Sequence, residues 1–233
     1  MEMILPIGTF VNVATVLAGG LIGLSLRKVF PEKIKEIIFQ GIGLFVLVLG
    51  AKMAFATAHP LVQVVAIVTG GVIGVWVNLD VKLNLFSARL KVILGSKEST
   101  FNEGLITAFL LFCVGSMTIV GAMNEGISGD RDLLFTKSIM DGISAIVLAA
   151  SFGSGVIFSV IPMLLFQGGI TLLATQMQGY VSEAYITEVS AVGGLMILGI
   201  GLNVLGITKL KVVNMLPALA TVLLWMWVQS MFL

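Results

Sequence analysis

Eight predominantly apolar stretches of about 20 residues follow one another along this chain, each long enough to cross the roughly 30 Å hydrocarbon layer of a bilayer. Cut at charges, prolines and glycine clusters, they run over 4–26, 37–57, 61–79, 104–123, 133–153, 156–177, 187–207 and 213–233. A water-soluble core of 233 residues cannot hide that much apolar surface: 58% of the residues are hydrophobic and 11% charged, where soluble domains carry about a quarter. The expected fold is an all-α integral membrane protein, one transmembrane domain over 1–233 with about eight helices and the lipid bilayer as its solvent. Ser151–Gly155 is a poor helix interior and reads as a tight turn, a kink or the bottom of a re-entrant hairpin.

Basic residues orient the spans. Arg27, Lys28, Lys33 and Lys35 follow the first, Lys82, Arg89, Lys91 and Lys97 the third, and Lys209 and Lys211 the seventh, which is ten of the 13 Lys and Arg. The positive-inside rule makes these loops cytoplasmic and puts both termini outside. The loops at His59–Pro60, Asn124–Asp132 and Gln178–Ile186 then face out, with Arg131 as their one basic residue. A seven-span count would put Lys209 and Lys211 on the wrong side. Trp225 and Trp227 near the C-terminus suit an outer interfacial belt, and Met1–Phe10 lacks the basic n-region of a cleavable signal.

The chain also repeats itself. Val11–Gly23 (VNVATVLAGGLIG) aligns without gaps to Val62–Gly74 (VQVVAIVTGGVIG), and Gly193–Gly194–Leu195 echoes both. Such small-residue patterns also recur wherever membrane helices pack closely, so an internal repeat of helix pairs and plain packing both stay open. A homodimer through the glycine-rich faces is an alternative to packing within one chain.

Polar residues at membrane depth are the functional signal. Gly121–Asp141 carries Glu125, Asp130, Arg131, Asp132, Lys137 and Asp141 between and inside two apolar segments. Lys137 and Asp141, four residues apart, share one helix face. Lys52 interrupts the second span near its outer end, so three segments send ionisable groups to one leaflet. A lone charge at that depth costs from about 2.5 kcal/mol upward, so pairing or a polar cavity is expected. Lys52, Asn124, Glu125, Asp130, Lys137 and Asp141 are therefore the candidate substrate- or ion-binding residues, with Asn12, Gln167, Asn203 and Asn214 as secondary polar candidates. The bland alternative is an intrahelical Lys137–Asp141 pair, a snorkelling Lys52, and Glu125 and Asp130 in water. Asn124–Gly126 reads as a glycine-capped helix end, and Ser128–Asp132 as the cap of the next helix.

Soluble-enzyme signatures are missing. The sequence holds no P-loop, dinucleotide fingerprint, HExxH or GxSxG; His59 is the one histidine and Cys113 the one cysteine. No catalytic residue, metal, cofactor, disulfide or nucleic-acid partner is expected.

Leu111–Cys113, Gly121–Gly126 with Gly129–Asp130, Lys137–Ser138 and Asp141, Ser190–Leu195 and Val213–Leu219 together resemble the domain-of-unknown-function 554 family, to which the YqgA-like proteins belong. The likeness covers nearly the whole chain, Asn12 and Pro31–Glu32 included. It implies a multi-pass protein of the cytoplasmic (inner) membrane of a prokaryote and carries neither a substrate nor a catalytic residue. Three function classes follow from the residues: a transporter or permease for a small polar solute or ion, favoured by the buried charges; an ion channel or pore lined by glycine-rich spans; and an intramembrane enzyme, which the missing nucleophile–base pair and metal set disfavour, or an assembly partner without transport.

Overall fold

A computed structural model describes residues 5–29, 31–94, 98–177 and 182–231. Ile4, Lys97, residues 178–181 of the loop Gln178–Ile186, and residues 232–233 lie outside the described residues. Lipid offers no partners to a backbone, so each apolar stretch must satisfy its own N–H and C=O groups, and among the described residues all do so as helices without a strand. In chain order these are α1 (Ile7–Val29), α2 (Glu32–Ala54), α3 (Pro60–Trp76), α4 (Leu79–Leu94), α5 (Phe101–Cys113), α6 (Ser116–Ser128), α7 (Asp132–Phe152), α8 (Gly155–Phe158), α9 (Val160–Met177), α10 (Glu183–Val204) and α11 (Ala218–Ser230), the last preceded by a 3₁₀ turn at Val212–Met215.

Five segments are long and apolar enough to cross a membrane by themselves: Ile7–Arg27, Asp132–Phe152, Gly155–Ala174, Glu183–Val204 and Val212–Ser230. Two more qualify as bent pairs, α3 with Leu79–Leu85 at 58° and α5 with Met117–Ser128 at 57°, giving five to seven candidate spans among the described residues. The expected span 37–57 coincides with a shorter apolar helix, Gln40–Ala54.

The chain forms two units, with a boundary inside α2: Met1–Ile38 with Glu98–Ser182, and Phe39–Lys97 with Glu183–Leu233. In the first unit α1 runs parallel to α7, and small residues let the two backbones meet. Gly19 lies on the Gly142 carbonyl and Gly23 on the Ile146 carbonyl, where a Cβ would fall well under 3 Å from oxygen. α7 is polar inward and apolar outward. Leu134, Lys137, Ser138, Asp141, Ala145 and Leu148 are buried, while Ile139, Met140, Ile143 and Val147 on the opposite face are exposed. A soluble helix does the reverse; here the exposed face meets lipid and the polar groups turn to their neighbours.

The Ser151–Gly155 segment is a tight turn. α7 stops at Phe152, and Gly153 takes φ 86°, ψ −153°, a conformation essentially restricted to glycine. Glu98 then accepts the Ser154 N–H at 2.7 Å and its hydroxyl at 2.6 Å, starting α8, which leads into α9. In the second unit α3 runs antiparallel to α11, with Gly70 on Ala218 and Gly74 on the Asn214 carbonyl, and α2 runs antiparallel to α10, with Gly43 facing Leu205, Leu47 facing Gly201 and Gly50 facing Leu198. Asn78, a residue type that tolerates the left-handed region, turns the chain from α3 into α4 at φ 54°.

Candidate functional site

The site in the first unit begins with a broken helix. Val114 and Gly115, both weak helix formers, separate α5 from α6, and Gly115 is extended at φ −152°, ψ 150°. The last carbonyls of α5 consequently look for partners outside their own helix. The Phe112 carbonyl accepts the Thr118 hydroxyl at 2.8 Å and the Lys137 ammonium at 2.7 Å. Lys137 is also paired with Asp141 one turn further along α7, and the two side chains are only 7% and 9% exposed. On the other side, Asn12 of α1 donates through Nδ2 to Asp141 Oδ2 at 3.0 Å and to Gln167 Oε1 of α9 at 3.0 Å. Four helices thus share one network: Lys137 and Asn12 touch the Asp141 carboxylate, and through them it is joined to α5 and α9. Asn12 Oδ1, Gln167 Nε2 and the Thr9 hydroxyl are buried and have no hydrogen-bond partner among the described residues.

A second buried carboxylate closes the end of the same unit. Glu125 is fully buried; it accepts the Gly8 N–H in the first turn of α1 at 2.7 Å, Arg131 Nε at 3.0 Å and, more weakly, the Thr171 hydroxyl at 3.5 Å. An anion there satisfies an amide that the helix itself cannot, and complements the helix dipole. Glu125→Ala is expected to speed amide exchange in the first turn of α1 about tenfold or more, the loss of a charge-assisted bond. Hydrogen-exchange mass spectrometry over residues 7–10, with 70–74 as internal control, checks this, and unchanged protection at Gly8 would refute the tether.

Of the expected site residues, Lys137, Asp141, Asn12 and Gln167 meet directly, and Glu125 stands in the same unit with partners of its own. Asp130 is exposed, and its carboxylate accepts the Asp132 N–H at 3.0 Å, capping α7; Asn124 is half-buried. The expected glycine cap lies three residues later than Gly126: α6 continues to Ser128 and ends at Gly129, φ 75°, whose N–H reaches the Glu125 carbonyl. The reading of Glu125 as a loop residue in water gives way to full burial. Lys52 belongs to the second unit and is exposed, as a snorkelling lysine would be. Asn203 and Asn214 tie backbone together: Asn203 Oδ1 accepts the Leu210 N–H at 2.8 Å, and Asn214 Oδ1 the Asp80 N–H at 3.0 Å.

Sequence reasoning missed Thr9, Thr171 and, in the second unit, Glu188. Buried Glu188 accepts from the Thr57 hydroxyl, the Ala58 N–H at 2.7 Å and the His59 N–H at 3.2 Å at the start of α3. Gln63, also buried, donates to the Ala54 and Ala191 carbonyls at 3.0 and 3.1 Å. The usable signal was an acid in the first turns of an apolar segment, opposite a helix start. A mostly apolar cavity of about 430 Å³ in this unit is lined by His59, Val62, Val65, Trp225 and Gln229 among others, and includes none of the expected site residues. Among the described residues no three His, Cys, Asp or Glu side chains cluster as metal ligands would.

A model of the family described as "Protein of unknown function (DUF554)" matches residues 7–227. The chain is 34% identical over 216 residues to "Uncharacterized membrane protein YdfK" of Bacillus subtilis (strain 168), covering 91% of this chain and 92% of the relative. It is 33% identical over 218 residues to "Uncharacterized protein YqgA" of Escherichia coli (strain K12), covering 91% and 93%. No solved structure matches the chain. With its apolar helices, several of them long enough to span a bilayer, and these relatives over nine-tenths of its length, the chain belongs to the DUF554 family and is a multi-pass membrane protein.

Proposed function

We propose that the protein is a permease for a small polar solute or ion, with Asp141, Lys137, Asn12 and Gln167 at its binding centre. The observation that carries this reading is the Lys137–Asp141 pair, buried where four helices converge and joined to a carbonyl left over by a helix break. A buried ion pair seldom stabilises a fold more than well-packed apolar side chains of the same size, so stability is a weak reason to keep one. Broken helices that line a polar centre at membrane depth are the architecture by which transporters bind solutes. The reading involves no chemical conversion of the solute. Purified protein in liposomes, screened with ions, organic acids and amino acids, should show saturable uptake and ligand-induced thermal stabilisation. Large non-saturating currents would make it a pore instead, and neither response would leave an assembly role.

The same reading has eight spans in the cytoplasmic membrane: the five long apolar segments, two bent pairs, and Gln40–Ala54 as the eighth, supported by its antiparallel run along α10. Both termini then lie outside and the centre lies in the outer half of the bilayer. An internal repeat gains support from contacts at an offset of 51 residues: Gly8 and His59 both give their N–H to a buried glutamate, Asn12 and Gln63 are both buried amides, and Gly19/Gly70 and Gly23/Gly74 both meet backbone. In a Cys113→Ser background, an impermeant maleimide applied to intact cells should modify Asp130→Cys and spare Arg89→Cys. Labelling of the residue at 89 would reverse the orientation.

A further inference from the structure

We propose that Asp141, Asn12 and the Phe112 carbonyl form a site for one monovalent cation, in which the Lys137 ammonium is the tethered competitor of that ion. The inference rests on the permease reading of this centre and names its ion. The ammonium nitrogen already occupies the position a dehydrated cation would take, between a carboxylate and a carbonyl oxygen freed by the break between α5 and α6. Two further oxygens on α1 are fully buried and without a partner among the described residues: Asn12 Oδ1, on the side chain that binds Asp141, and the Thr9 hydroxyl, one turn before it. Gln167 Nε2, a buried donor without a partner, serves a water that accompanies the ion. One carboxylate balances one positive charge, and among the described residues no group of three or more His, Cys, Asp or Glu side chains gathers as the ligands of a divalent ion would, so a monovalent ion is the better match.

Charge balance then fixes the exchange. A cation entering while Lys137 keeps its proton would leave a net charge buried in the bilayer. The ion is therefore accepted as Lys137 gives up its proton to water: the ammonium becomes an amine, the Asp141 carboxylate changes partner from ammonium to cation, and one cation in matches one proton out. Around Lys137, its own helix contributes Asp141 and α5 contributes the buried Cys113 thiol; the acid of α6, Glu125, is engaged elsewhere, by Arg131 and the Gly8 amide. α1 and α9 contribute the neutral Thr9, Asn12 and Gln167.

The test uses the purified full chain in micelles, with choline as the inert cation, and follows the melting temperature as LiCl, NaCl or KCl is added between about pH 6.5 and 9.5. One of these ions should stabilise the wild type with an apparent affinity that rises about tenfold per pH unit, the linkage of one cation to one proton. Lys137→Met should respond to the same ion at every pH, and Asp141→Asn to none. Stabilisation no better than choline across the whole range, or an affinity indifferent to pH, would overturn the site. Should Lys137→Met fail to fold, the wild-type pH series decides alone. Cation binding without flux in liposomes would overturn the permease and leave the site standing; flux of a solute indifferent to all three ions would do the opposite.

Discussion

Asp141→Asn is expected to lower stability by about 3–5 kcal/mol, more than the double substitution Lys137→Met/Asp141→Asn, while both abolish transport. The single change leaves the Lys137 ammonium buried beside the Phe112 carbonyl with no counter-charge, whereas the double change removes both charges and leaves a carbonyl still held by the Thr118 hydroxyl. Stability and function therefore separate. If the pair served packing alone, the double variant would recover both; if it binds the transported solute, the melting temperature recovers and uptake does not. The cycle is read in parallel as thermal unfolding of purified protein and as uptake in liposomes. A double variant as stable and as active as the wild type would remove Lys137 and Asp141 from the site.

The apolar segments and the Lys137–Asp141 spacing were legible because both are local: one needs a run of about 20 residues, the other a four-residue step on one helix. The partners of Asp141 were not. Asn12 and Gln167 lie 129 and 155 residues from Asp141 and Asn12 respectively in these contacts, so their meeting depends on which helices pack, and small-residue patterns point to close packing without naming the neighbour. The helix break was hidden for a related reason. Phe101–Ser128 has the length and hydropathy of a continuous span, and Val114–Gly115 looks there like one more small packing step. The sequence marks a helix end at Asn124–Asp132, where polar residues concentrate; this earlier break falls among apolar residues, and the Phe112 carbonyl beside it accepts the Lys137 ammonium. Glu125 was named as a candidate, but its full burial was not legible, because loop polarity resembles solvent exposure in a sequence, although an acid beside a helix start is satisfied by backbone N–H groups as well as by water.

The second large effect is expected where backbone meets backbone. Gly19→Ala and Gly70→Ala each place a Cβ well under 3 Å from main-chain atoms, of Gly142 in the first unit and Ala218 in the second. A side chain can rotate away from such an intruder, but a helix backbone moves only as a whole. Each substitution should therefore cost about 3 kcal/mol, at the upper end of the overpacking range, and sharply reduce the yield of monodisperse protein. Gly20→Ala meets only the Ile157 side chain and should cost less, while Gly71→Ala faces open space and should be silent or slightly stabilising. The contrast tests more than packing. Gly19 and Gly20 align with Gly70 and Gly71, and in each copy the first glycine of the pair is the one pressed against a neighbouring backbone. Melting temperatures ranking the first glycine as costly and the second as tolerant in both units would mean that the repeated sequence does a repeated structural job, whereas equal tolerance at Gly19 and Gly71 would reduce the alignment to shared small-residue composition.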